Sequence, residues 1–136
     1  MWRSIFRSGD LVSTAQRFSR QVVDALDKAQ IIGVRAGNEH EFTGVWVVVV
    51  EGRVFVRSWN DKPTGWYRAF LDEPLGSITF GGAERRVRGR PTRSERLRGA
   101  VSRGYAMKYP TRSSQKWVRG FARPTRAAHT IEFVPR

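Results

Sequence analysis

Cysteine is absent from this 136-residue chain, which excludes disulfides, thiol nucleophiles and thiolate metal sites and is compatible with a reducing compartment. Histidine is nearly absent too. His40 and His129 lie far apart and in no ligand-spaced motif, so no zinc site is expected. Long apolar runs are missing: the longest, Val45 to Val50, has the length of a strand and is far too short for a bilayer. The basic start, Met1 to Arg7, has no apolar core behind it, so residues 1–9 read as a loose terminus, secretion is not expected and a cytoplasmic location is. The chain also lacks GxGxxG, GxxxxGK[ST] and GxSxG motifs and any calcium-loop pattern, and no two carboxylates stand out as an acid–base couple. Side-chain catalysis therefore has few candidates. Chemistry carried by a bound cofactor, or plain binding, is left.

What the chain has is a core and a strong positive charge. Hydrophobic residues make up 40% and aromatic ones 12%, enough for one packed domain spanning 1–136. The net charge is +13, and it is concentrated: fourteen of the twenty-five basic residues but only two of the twelve acidic ones lie between Glu84 and Arg126. A field of that sign attracts nucleic acid or phosphorylated small molecules, although an arginine-rich solvated surface would carry the same charge.

Periodicity places the elements. Asp10 is positioned to cap a helix running to about Lys28, with Leu11, Ala15, Phe18, Val22, Leu26 and Ala29 in one apolar stripe. Ile31 to Val34 reads as a first strand. Val45 to Val50, the Glu51-Gly52 turn and Val54 to Trp59 read as a β-hairpin. The first strand of that hairpin is apolar on both faces, so it needs a barrel interior on one side and a helix or second subunit on the other. Trp66 to Leu71 reads as a short helix. Ser77 to Phe80, Gly81-Gly82 and Ala83 to Arg88 read as a second hairpin, with Gly89 to Thr92 breaking the pattern. Ser94 is placed to cap a helix carrying Leu97, Val101 and Tyr105 on one face, weakened by Gly99 and Gly104. Residues 110–126 read as irregular, and His129 to Val134 as a last strand. The expected class is α+β: a small antiparallel split β-barrel of two hairpins plus a C-terminal strand, with an N-terminal helix and a second helix.

From about Ile31 onward the chain resembles the bacterial family known as domain of unknown function 2255. The resemblance rests on Val45-Trp46-Val47-Val48-Val49, Val54-Phe55-Val56-Arg57-Ser58, Gly65-Trp66-Tyr67-Arg68, Gly81-Gly82 with Glu84, Tyr105 with Lys108-Tyr109, and Thr130 to Pro135. It departs from the family at Gly44, where a proline is frequent, and in the irregular stretch Arg112 to Arg126. The family is in turn similar to split barrels that bind FMN or a deazaflavin, including deazaflavin-dependent nitroreductases. That implies a homodimer holding a phosphorylated cofactor at the subunit interface and passing hydride or electrons to a small oxidised substrate.

The same resemblance implies cofactor-binding roles for six residues. Arg57 and Ser58 end a hairpin strand, where a guanidinium and a hydroxyl would grip phosphate; the bland alternative is a surface arginine and a strand terminator. Trp66 and Tyr67 would frame a ring, or else plug the barrel mouth. Arg68 would reach the phosphate, or lie in solvent. Lys108 would add a point charge, or simply favour a helix C-terminus. Trp46 reads as core, and His40 as a loop histidine. Two other readings stand beside the cofactor one. The basic region 84–126, with Tyr105, Tyr109, Trp117 and Phe121 between its cations, would suit a nucleic-acid-binding module. A cofactor-free barrel that packs with a partner protein is the third.

Overall fold

Six strands close into an antiparallel barrel in the computed structural model, which describes residues 17–136. The strands are β1 (Ile31–Ala36), β2 (Thr43–Val50), β3 (Arg53–Arg57), β4 (Leu75–Phe80), β5 (Ala83–Pro91) and β6 (Thr130–Pro135), in the barrel order β1-β2-β3-β6-β5-β4, with β4 closing on β1. Both hairpins turn where the sequence places them. Glu51 and Gly52 have φ of 56° and 72°, and Gly81 and Gly82 of 55° and 79°, the paired left-handed turn that matches strand twist. Period-two alternation then fills the interior: Ile32 and Val34, Val47, Val54 and Val56, Ile78, Val87, and Ile131 and Phe133 all point inward and are buried.

Helices α1 (Arg20–Lys28), α2 (Trp66–Asp72), α3 (Glu95–Lys108), α4 (Gln115–Phe121) and α5 (Pro124–Ala127) surround the barrel, with a 3₁₀ turn at Arg112–Ser114. The first helix is capped by the Ser19 hydroxyl, which accepts from the Val22 amide at 3.3 Å; the proposed Asp10 start, with Leu11 and Ala15, lies outside the described residues. Phe18, Val22, Leu26 and Ala29 do pack against the barrel core. From α2, Phe70 enters the barrel and meets Phe133 edge-on at 5.1 Å. Ser94 caps α3 through the Leu97 amide, and Leu97, Val101 and Tyr105 bury against the outer face of β2 and β3 at Val48 and Phe55. The doubly apolar β2 is thus covered by barrel interior on one side and by helix on the other. Among the described residues no helix is long and apolar enough to cross a membrane, and no cluster of three or more His, Asp or Glu could hold a metal ion.

Two sequence expectations need correction. The β5 strand does not break at Gly89 but runs through to Pro91, paired with β6; the glycine is there because a side chain would press on Phe70, Ile131 and Phe133 inside the barrel. Glycine there is a close approach within a strand. Residues 110–126 are not irregular either. They form a turn and two short helices whose apolar members, Val118 and Phe121, complete the outer core beneath α3.

Candidate functional site

The outer faces of β2 and β3 are only partly covered by helix, and what remains uncovered is a cleft. Its volume is about 340 Å³, and Gly44, Val45, Trp46, Arg57, Trp59, Trp66, Trp117 and Phe121 line it. Four of the chain's five tryptophans converge there from four separate segments, which no local sequence pattern requires. Trp46 stands on the outward side of β2, backed by Tyr109 in parallel contact at 4.2 Å and 2°. Trp59 follows β3 and meets Phe121 and Trp117 edge-on at 5.6 and 5.0 Å. Trp66 opens α2. Trp117, on α4, is 43% exposed.

Arg57 belongs to this cleft, yet it is 2% exposed and its guanidinium is already held. Nε donates to Thr130 Oγ1 at 2.8 Å, one terminal nitrogen donates to Ser102 Oγ and to the Phe121 carbonyl at 2.8 and 2.7 Å, and the other donates to the Arg98 carbonyl at 2.9 Å. Four of five N–H donors are spent on neutral acceptors, so the group ties β3 to α3, α4 and β6. Burial lowers its pKa to about 10, leaving it charged at neutral pH. Among the described residues no carboxylate pairs with it. The cleft therefore rests on a fixed positive charge that none of the described residues neutralises.

The other residues singled out from sequence go elsewhere. Of the six, the structure brings only Arg57 and Trp66 to the cleft. The Ser58 hydroxyl donates to the Asn60 carbonyl and shapes the loop. Tyr67 is buried against His129, with its hydroxyl toward the Ala128 carbonyl at 3.5 Å, so it faces away from Trp66's cleft wall. Arg68 makes a two-pronged ion pair with Asp61 at 2.6 and 2.8 Å. Lys108 donates to the Leu26 and Val47 carbonyls at 3.2 and 2.9 Å, which fastens α1 and β2 to the end of α3; burial lowers its pKa. Trp46, read from sequence as core, is half-buried and forms a cleft wall.

Sequence reasoning missed Trp59, Trp117 and Phe121 as one group, and with them a second, basic lobe. Lys116, Arg119, Arg123 and Arg126 line a depression of about 580 Å³ that shares Trp59 and Trp117 with the aromatic cleft. The legible part of the signal is the pair Lys116-Arg119, one helical turn apart; Arg123, in the extended link before α5, and Arg126 join it only in the packed structure. Gly120 makes the arrangement fit. The Trp59 ring lies directly on its backbone, so a Cβ there would overlap the ring. That ring has no easy retreat, with Trp117, Phe121 and the Arg126 guanidinium around it, the last at 3.7 Å. Gly120→Ala should gain up to about 1 kcal/mol of helix propensity and lose about 1–3 kcal/mol to overpacking. The expected result is a protein that still folds with a displaced Trp59, seen as a change in tryptophan fluorescence. An unchanged spectrum would count against the close approach.

A family described as "uncharacterized protein conserved in bacteria (DUF2255)" matches residues 21–133. No curated protein matches the chain in sequence. Two solved structures share the fold. A conserved hypothetical protein of Mycobacterium tuberculosis superposes with a TM-score of 0.55 at 12% identity, covering 90% of this chain and 82% of that one. A FAD-binding protein of Mesorhizobium loti superposes with a TM-score of 0.50 at 9% identity, covering 87% and 88%.

Proposed function

The chain belongs to the DUF2255 family, and from that membership and the cleft just described we propose that it binds a flavin-type ring, FMN or a deazaflavin, for an oxidoreductase reaction on a small molecule. The observation that carries this reading is the convergence of Trp46, Trp59, Trp66 and Trp117 on one open cleft. Leaving several indoles half-covered forfeits burial worth about 25 cal/mol per Å² of apolar surface, and a flat aromatic ligand would recover it. The volume, about 340 Å³, sits at the lower end of small-molecule sites, which run from about 300 to 1,000 Å³. The fold shared with a FAD-binding protein agrees with this choice, as a fold-level analogy.

The residues present fit such a ring. Trp46, held rigid by Tyr109 behind it, and Trp59 offer stacking faces. Trp117 offers a third aromatic face to the ring, and Trp66 closes the side. Arg57 sets a positive charge at the cleft, which favours whichever form of a bound ring is more negative. A flavin or deazaflavin would supply the hydride or electron chemistry. The six residues chosen from sequence thus reduce, in this proposal, to Arg57 and Trp66. A homodimer closing the cleft mouth belongs to the same reading: Ile31, whose side chain borders Gly44 on the rim, is 63% exposed.

Titrating riboflavin, FMN, FAD and a deazaflavin against the purified protein tests the proposal. Saturable quenching of ligand fluorescence at one ring per chain is expected for at least one of them. Absence of quenching by all four would falsify ring binding.

A further inference from the structure

We propose that the basic lobe next to the tryptophan cleft seats the phosphate-bearing tail of the ligand, so that the protein selects phosphorylated ring compounds over the bare ring. The inference rests on the ring-binding reading above and adds a second subsite, formed by Lys116, Arg119, Arg123 and Arg126.

Four cations line the lobe, and no carboxylate stands among its lining residues. Six arginines elsewhere do have carboxylate partners: Arg53 and Arg90 with Glu132, Arg68 with Asp61, Arg96 with Glu51, Arg35 with Glu84 and Arg98 with Glu95. The segments that supply the four cations carry no carboxylate of their own, since the chain has neither Asp nor Glu between Glu95 and Glu132. Among the described residues none of the four lobe cations makes an ion pair. Lys116 and Arg119 stand one helical turn apart on α4, a spacing at which like charges repel, and Arg123 follows as the extended residue that opens α5. A surface selected only for stability would disperse or pair these charges. A dianionic group bound among them would turn the mutual repulsion into attraction.

The lobe is also preorganised and joined to the ring site. Arg126 donates from Nε to the Trp59 carbonyl at 2.8 Å and lies over the Trp59 ring at 3.7 Å, so its charge is held in place before any ligand arrives. Lys116 lies over Trp117 at 5.0 Å. The two indoles shared by the aromatic cleft and the lobe, Trp59 and Trp117, thus carry cations. A ligand reaching both lobes needs a planar ring, a short linker and a multiply charged anion. A phosphorylated ring compound of the flavin-nucleotide class has that form, whereas riboflavin has the ring alone.

The test compares riboflavin, FMN and inorganic pyrophosphate on the wild-type chain and on a Lys116→Gln/Arg119→Gln/Arg123→Gln variant. Arg126 is left intact because it supports Trp59. Wild type is expected to bind FMN at least about tenfold tighter than riboflavin, the order of one charge-assisted hydrogen bond, with the advantage shrinking as salt rises. The variant should bind riboflavin as wild type does and lose the FMN advantage. Pyrophosphate alone should raise the Tm of wild type but not of the variant. Because the three side chains are exposed and unpaired, the variant's own Tm should match or exceed that of wild type, and the single exposed change Arg119→Glu should show the same loss in milder form. Equal riboflavin and FMN affinity in wild type, or an FMN advantage that survives in the variant, overturns the tail subsite while ring binding stands. If no ring compound binds, the ring reading falls, and the pyrophosphate shift alone then upholds or overturns the lobe as an anion site.

Discussion

Replacing Arg57 by leucine is expected to lower folding stability by about 3 kcal/mol, a large share of the roughly 5–15 kcal/mol that holds a domain together. The size follows from which acceptors are stranded. Thr130 Oγ1 still donates to the Ala127 carbonyl at 2.7 Å, and the Arg98 carbonyl still accepts from Ser102 at 3.2 Å, so neither is left without a partner. The Phe121 carbonyl loses its buried side-chain donor, and the shorter leucine leaves a void against Tyr105. Removing the buried charge itself returns a desolvation cost, which keeps the net below the sum of the lost contacts. Thermal unfolding should therefore shift downward by roughly 10 °C. Arg57→Lys should fall between the two, since an ammonium keeps the charge but cannot fork to acceptors on α3, α4 and β6 together. A leucine variant with wild-type Tm would mean that the four hydrogen bonds do not hold the fold, leaving ligand binding as the reason for the buried charge.

Arg57 also illustrates how far the sequence could be read. Its place at the exit of the first hairpin was legible from Val54-Phe55-Val56 alternation and the Glu51-Gly52 turn. The hydrogen bonds that occupy it were not, because they come from residues forty to seventy positions away on α3, α4 and β6. The same holds for the barrel. Strand existence, both glycine turns and the Ser94 cap follow from local chemistry. The extension of β5 through Gly89 depends on Phe70 reaching the interior from a different element, and only the packed barrel shows it. For Lys108 and Arg68 position alone leaves an anion role beside a plainer one, a helix C-terminus for the first and solvent for the second; the structure gives Lys108 two backbone carbonyls and Arg68 the Asp61 carboxylate. The aromatic cleft was hidden for a related reason. Trp46, Trp59, Trp66 and Trp117 lie in segments that look independent in sequence, and Trp59 meets Trp117 edge-on where Gly120 leaves room for its ring against α4.

Trp117→Ala separates ring binding from folding more cleanly than any other single change. Trp117 is 43% exposed and touches Trp59 edge-on at 5.0 Å, so its loss removes one aromatic pair and the covered half of one indole. Stability should fall by about 1–3 kcal/mol, which leaves the protein folded. Stacking of a planar ring on one aromatic side chain is worth about 1–3 kcal/mol, so the Kd for riboflavin should rise between about 5- and 150-fold. Riboflavin is the right probe because it carries no phosphate, which keeps Lys116 and Arg119 out of the comparison. Trp59→Ala would be ambiguous: Trp59 packs on Gly120, Phe121 and Arg126, and a weaker affinity there could be reported by a loosened α4. Trp46→Ala is no better, since it would leave the buried Tyr109 without its stacking partner. A riboflavin affinity unchanged within about twofold in the Trp117 variant would show that this wall does not touch the ring, and the four-tryptophan cleft would lose the residue that joins it to the basic lobe.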